Sequence, residues 1–176
     1  MESKRIAQWI TVGANVAVLA GLLFVAVQIR QNTRSIRAAA YQTWVASATS
    51  WNMGIAADKE LAAALVQGHT DTGKLTDVSQ MQYAMSMLAL MQMIQATYYL
   101  YRDGSIDASL WDVERQRAAL HLTTPGVRQW WDAGAKTQLS PEFVRIVEAT
   151  KVTSGAWNWE PGRGFVPVGA PAIIKN

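Results

Sequence analysis

No cysteine occurs in the 176 residues, which excludes disulfides and thiolate metal sites and leaves either side of a membrane open to the chain. Proline is scarce: the first of five is Pro125, so no ring of that kind interrupts a helix anywhere upstream of it. Histidine occurs only as His69 and His121, with no HExxH pattern, serine-nucleophile elbow or phosphate-binding glycine loop to accompany it. The excess of basic charge is small, 16 Lys and Arg against 13 Asp and Glu for a net charge of +3. Much of it sits beside an apolar run, where anionic headgroups attract it, so nucleic acid is not implied.

Charge is absent altogether from two long runs. Ile6–Ile29 holds 24 consecutive uncharged residues, preceded by Lys4 and Arg5 and followed by Arg30, Arg34 and Arg37. At about 1.5 Å per residue that run is roughly 36 Å long, enough to cross a hydrocarbon core of roughly 30 Å with some tilt. A signal peptide would carry a shorter apolar stretch and small residues at its end, whereas this run closes on Gln28-Ile29-Arg30-Gln31-Asn32. A retained anchor is expected, with the lipid bilayer as partner. The arginines then lie at headgroup depth, and their count, three after the run against two before it, leans towards a cytoplasmic main domain. The second run, Ser79–Tyr101, has 23 uncharged residues but carries Gln80, Gln82, Gln92 and Gln95. Those amides are costly in lipid, so it is expected to be a helix buried in the domain or between subunits.

Helix signals dominate the rest. Nothing breaks the chain after Arg30, and Ile29, Ile36, Ala40, Trp44, Ala48, Trp51 and Ile55 form one stripe at helical spacing, which predicts a juxtamembrane extension with an apolar face to cover. Asp58 predicts the start of a short helix that Gly68 would end, with His69–Lys74 as a loop. Thr76 or Asp77 opens a long helix to Arg102, and Asp107 a further one to about Leu122. Thr124-Pro125 and Ser140-Pro141 open two more, near 125–136 and 141–153. From Gly155 the glycines and prolines predict an extended tail. The expected architecture is all-α: an anchor and juxtamembrane helix over 1–56, a domain of about five further helices over 57–154, and a Gly/Pro/Trp tail over 155–176.

Several features invite contact more than chemistry. Gly13, Ala17 and Gly21 repeat every four residues, which lets two helix backbones approach closely, and Asn15 would prefer an interhelical hydrogen bond to hydrocarbon. With Ile36, Trp44 and Trp51 they make the expected helix-association surface. Five methionines between Met81 and Met93 are better explained as adaptable packing than as soft-metal ligands, because no Cys or His lies among them. His69 suits an exposed loop, and His121 at a helix end suits a favourable dipole contact. Of eight tryptophans, Trp130, Trp131, Trp157 and Trp159 could form a contact or ligand surface, although building the core and pinning the tail explains them better. No catalytic residue, metal site or cofactor is expected.

The segment Val27-Gln28-Ile29-Arg30-Gln31-Asn32-Thr33-Arg34-Ser35-Ile36-Arg37-Ala38-Ala39-Ala40-Tyr41-Gln42 resembles the signature of a widespread family of uncharacterised bacterial membrane-anchored proteins. Pro125-Gly126-Val127-Arg128-Gln129-Trp130-Trp131, with Ser140-Pro141-Glu142-Phe143 after it, is similar to that family's later pattern. The resemblance implies a single-pass protein of the bacterial inner membrane with a helical domain, and it carries over no activity. Two expectations follow: a non-enzymatic protein that forms homo-oligomers or serves as an accessory subunit of a membrane complex, and a tethered sensor binding a small apolar or aromatic ligand.

Overall fold

The computed structural model describes residues 2–152, 157–160 and 164–167, and within these the side chains of 2–8, 10–12, 14, 16, 157–160, 164, 165 and 167 are outside the description. The chain divides into two compact units, Met1–Tyr41 and Gln42–Asn176.

The first unit is helical throughout its described residues and belongs to α1 (Glu2–Ala57). The polar segment after Arg30 does not end this helix, because Thr33 Oγ1 donates back to Ile29 O at 2.9 Å and Ser35 Oγ to Gln31 O at 3.1 Å. Such side chains are satisfied locally on the helix. The large apolar side chains from Val18 to Ile29 are each half or more exposed. Part of the expected span, residues 6–8, 10–12, 14 and 16, has its side chains outside the description, and among the described residues no helix is long and apolar enough to cross a membrane.

The second unit is helical as the patterns predict. It holds the end of α1, then α2 (Lys59–Thr70), α3 (Asp77–Arg102), α4 (Ala108–His121), α5 (Pro125–Asp132) and α6 (Pro141–Ala149). The starts follow capping chemistry. The Asp58 carboxylate accepts from Glu60 and Leu61 N–H at 2.9 and 3.0 Å, Thr76 Oγ1 accepts from Ser79 N–H at 3.3 Å, and Ser140 Oγ from Phe143 N–H at 3.2 Å. Asp107 and Thr124 stand at cap positions without a side-chain cap bond, Thr124 Oγ1 donating instead to His121 O at 2.8 Å. α3 ends where Gly104 takes φ +73 and Ser105 N–H reaches back to Leu100 O at 2.8 Å.

α3 organises the core. Tyr83, Met87, Leu90, Met91, Ile94 and Tyr98 recur at helical spacing and are buried against Leu65, Trp111, Ala118, Val127, Trp131, Phe143 and Val147 from the other helices. α2 and α4 pack on α3, α5 on α2, and α6 on α4. The end of α1 joins this core through Trp51 and Ile55, and Trp51 Nε1–H donates to Ser86 O at 3.1 Å. The uncharged Ser79–Tyr101 segment is thus a domain helix, and its amides serve the fold: Gln95 Oε1 accepts from Ser140 N–H at 2.6 Å.

Four expectations change in detail. Gly68 does not stop α2, which runs on to Thr70, and residues 72–74 form a 3-10 turn capped by Asp71, whose carboxylate accepts from Gly73 N–H at 2.9 Å. The helix from Pro125 halts at Asp132, because Gly134 turns to φ +123 before a second 3-10 turn, Ala135–Gln138. The helix from Pro141 ends at Ala149. The tail is not simply extended: β1 (Trp157–Glu160) and β2 (Gly164–Pro167) pair antiparallel, Trp157 opposite Pro167 and Trp159 opposite Phe165. Aromatic and β-branched residues suit a pleated ribbon, and Pro167 closes its strand where the missing N–H is least needed.

Candidate functional site

Two places in the second unit combine unusual side chains, an aromatic and histidine cluster where α2, α3, α4 and α5 meet, and a groove beside α3. The cluster exists because helices approach without side chains between them. A Cβ on Gly126 would fall on the carbonyl oxygen of Gly68, and a Cβ on Gly68 would fall on the Tyr83 ring. Only glycine permits that crossing. It brings His69 beside both Tyr83 and His121, with ring centroids 5.7 and 5.8 Å away, the Tyr83 contact edge-on at 90°. Thr72 ties the neighbouring turn down, its N–H and Oγ1 donating to Gln129 Oε1 at 3.2 and 2.6 Å.

Both imidazoles favour the neutral form. Burial lowers the His69 pKa against the opposing pull of the Leu65 carbonyl, 2.6 Å from Nδ1. His121 keeps some accessible surface as a residue, but its ring is enclosed, and burial with the nearby His69 and Arg117 pushes its pKa down to about 3. The expected dipole role for a cationic His121 is therefore replaced by packing as a neutral ring, and His69 is half-buried, not a surface residue. Tyr83 is fully buried, and its hydroxyl has no hydrogen-bond partner among the described residues. Burial raises its pKa.

Glu114 is the outlier of α4. It lies on the inward face between Trp111 and Ala118 and is 0 % exposed. Arg117 Nη2 stands 3.2 Å from one carboxylate oxygen, yet neither oxygen receives a hydrogen bond of good geometry from the described residues. Burial raises the Glu114 pKa against the lowering effect of Arg117. Among the described residues no three His, Cys, Asp or Glu side chains converge as a metal site. Two neutral imidazoles alone pack and can accept a hydrogen bond.

The groove has a volume of about 360 Å³ and is open to solvent. Ala84, Met85 and Leu88 of α3 form one wall, Trp130 and the Ala133–Ala135 turn the other, and Gln138 the rim. Trp131, its ring centroid 6.3 Å from that of Trp130, is fully buried, and its Nε1–H donates to Glu148 Oε1 at 2.9 Å. That hydrogen bond, with Lys136 beside it, lowers the Glu148 pKa.

The remaining expected site residues are spread along the chain. Gly13, Asn15, Ala17 and Gly21 are exposed on α1, with open space at both glycines, and Ile36, Arg30, Arg34 and Arg37 are exposed on the same helix. Trp44 is half-buried, and Trp51 faces its own domain. Trp157 and Trp159 lie in β1, and their side chains are outside the described residues. The histidine pair was missed because its members come from distant segments. Glu114 had a local signal, a carboxylate in phase with Trp111 and Ala118 on an otherwise apolar stripe.

No protein-family model, curated protein or solved structure matches the chain.

Proposed function

We propose that the chain is a membrane-anchored, non-enzymatic helical protein that acts by self-association or as an accessory subunit of a bilayer complex. The observation that carries this reading is the run of large exposed apolar side chains on α1, from Val18 to Ile29, each half or more accessible, in a stretch without charge. Water does not tolerate so long an apolar surface, whereas lipid or a second helix does. The basic residues at both ends of Ile6–Ile29 support an anchor in the bacterial inner membrane, with the main domain on the cytoplasmic side. Gly13, Ala17 and Gly21, with Asn15 among them, offer the close-approach face for helix association, joined by Ile36 and Trp44. Trp51 drops out of that surface, because its own domain already supplies its partner.

The deciding measurement is particle mass in mild detergent. The unaltered protein is expected above monomer mass, alone or with a co-purifying subunit, and Gly13→Ile with Gly21→Ile is expected to lower it. Equal mass in both would reduce the small-residue face to lipid-exposed filler.

A second reading, a tethered sensor for a small apolar or aromatic ligand, is favoured by the Trp130 groove. Its openness and single tryptophan fit a shallow contact better than an enclosed ligand. Quenching of Trp130 fluorescence by an aromatic probe, abolished in Trp130→Ala, would support that role.

A further inference from the structure

α3 presents a second face that its own domain leaves uncovered. Val78, Met81, Met85, Ala89, Gln92 and Ala96 are all exposed, the first three at 69 %, 62 % and 50 %. Their spacing of three, four, four, three and four keeps them in one straight stripe at ~3.6 residues per turn. None is charged. The opposite face holds the core, the end of α1 covers one flank through Trp51 and Ser86, and Gln95 with Ser140 holds the other.

We propose that this stripe is a homotypic interface, against which the α3 of a second copy packs antiparallel about Ala89. The pattern is self-complementary in that direction. With Ala89 near the two-fold axis, Met81 of one copy meets Ala96 of the other and fills the space that the small residue leaves, while Met85 and Gln92 lie alongside each other as two unbranched, uncharged side chains. The small central residue lets the helices approach. Charge agrees as well: α3 begins at Asp77 and ends at Arg102, on the same flank of the stripe, and an antiparallel pair brings each beside its opposite on the partner. A parallel pair would carry the two copies of that flank to opposite sides and leave Asp77 and Arg102 without this pairing. Arg102 already lies 3.7 Å from Glu142 and 3.6 Å from Asp103, so a partner carboxylate would join an existing ionic cluster.

The inference rests on the self-association reading and names a surface that is separate from Gly13, Ala17 and Gly21. The absence of native cysteine makes its test clean. Full-length chains carrying single Ala89→Cys, Met81→Cys or Ala96→Cys replacements, all at exposed positions, are oxidised mildly in membranes, alone and as differently tagged pairs. Ala89→Cys is expected to crosslink to itself. Met81→Cys and Ala96→Cys are expected to crosslink when mixed, at least ~10-fold above either alone, since like positions lie on the order of 20–24 Å apart along an antiparallel pair. Self-crosslinking by both of those variants would overturn the antiparallel arrangement. No crosslink at Ala89→Cys in a particle above monomer mass would overturn this interface and leave self-association standing, whereas monomer mass without crosslinks would overturn both. A thiol at Ala89→Cys that is shielded in vesicles, freed by detergent and never crosslinked would assign the face to lipid, which also overturns it.

Discussion

Single residues decide how closely the helices of the second unit approach. Gly126 lies on the Gly68 carbonyl with no room for a Cβ, while Gly54, inside α1, has open space around it. Ala substitutions should therefore act in opposite directions. Gly126→Ala is expected to destabilise by about 1–3 kcal/mol through overpacking against backbone that cannot give way, and Gly54→Ala to stabilise by about 0.5–1 kcal/mol through helix propensity. Thermal unfolding in detergent reads both. Stability should also depend on pH through His121. A base with a folded pKa of about 3 is held neutral in the fold, so its contribution is whole above about 6.5 and drains away as pH falls towards 3. Between pH 6.5 and about pH 5 one such proton is worth about 2 kcal/mol, and His69, shifted the same way, adds to the effect. Glu114 has the opposite sign, because its raised pKa makes the charged form a burden above the ordinary carboxylate range that lifts on acidification. Denaturant titrations at the two pH values should show the loss, and His121→Leu should remove most of it.

At the level of elements, the sequence made the helices legible wherever their ends have chemistry. Asp58, Thr76 and Ser140-Pro141 satisfy orphan N–H groups or pre-set φ, and α2, α3 and α6 begin where those residues place them. Gly68 misled because glycine serves two purposes: it closes helices, and it admits close neighbours. Its neighbours, Gly126 and Tyr83, are remote in sequence and invisible to local pattern. The hairpin was missed for a related reason, since prolines and glycines mark both loose tails and tight ribbons, and only pairing separates the two. The α1 stripe shows what periodicity does deliver: it identifies a face to be covered without saying by what. For Trp51 the cover is α3. Trp51→Phe should cost about 1 kcal/mol through the lost hydrogen bond to Ser86 O, and Trp51→Ala about 3 kcal/mol or more through lost packing. If neither variant moved the thermal midpoint, α1 would be independent of the domain beyond it.

For the whole molecule the question is where the exposed apolar length of α1 resides. Its large apolar side chains from Val18 to Ile29 are each half or more exposed, and on the proposed reading the arginines that follow would meet headgroup phosphates. An anchor carries a definite sensitivity. Each arginine placed near the centre of a spanning helix costs about 2.5–3.5 kcal/mol of insertion free energy, so Val18→Arg with Leu22→Arg together should move the protein out of the alkali-resistant membrane fraction or expose it to degradation. Retention of the doubly substituted chain at the level of the unaltered one would show that the run is held by protein and not by lipid. On the proposed anchor reading, orientation is expected to follow from the basic residues after the run, Arg30, Arg34 and Arg37 against Lys4 and Arg5. Lys74, exposed beside α3 in a chain without cysteine, is a suitable reporter. With the main domain cytoplasmic, Lys74→Cys in intact cells should resist a membrane-impermeant maleimide and label once the inner membrane is opened. Labelling before opening would place the domain on the outer side and give the retention of the N-terminus to Lys4 and Arg5.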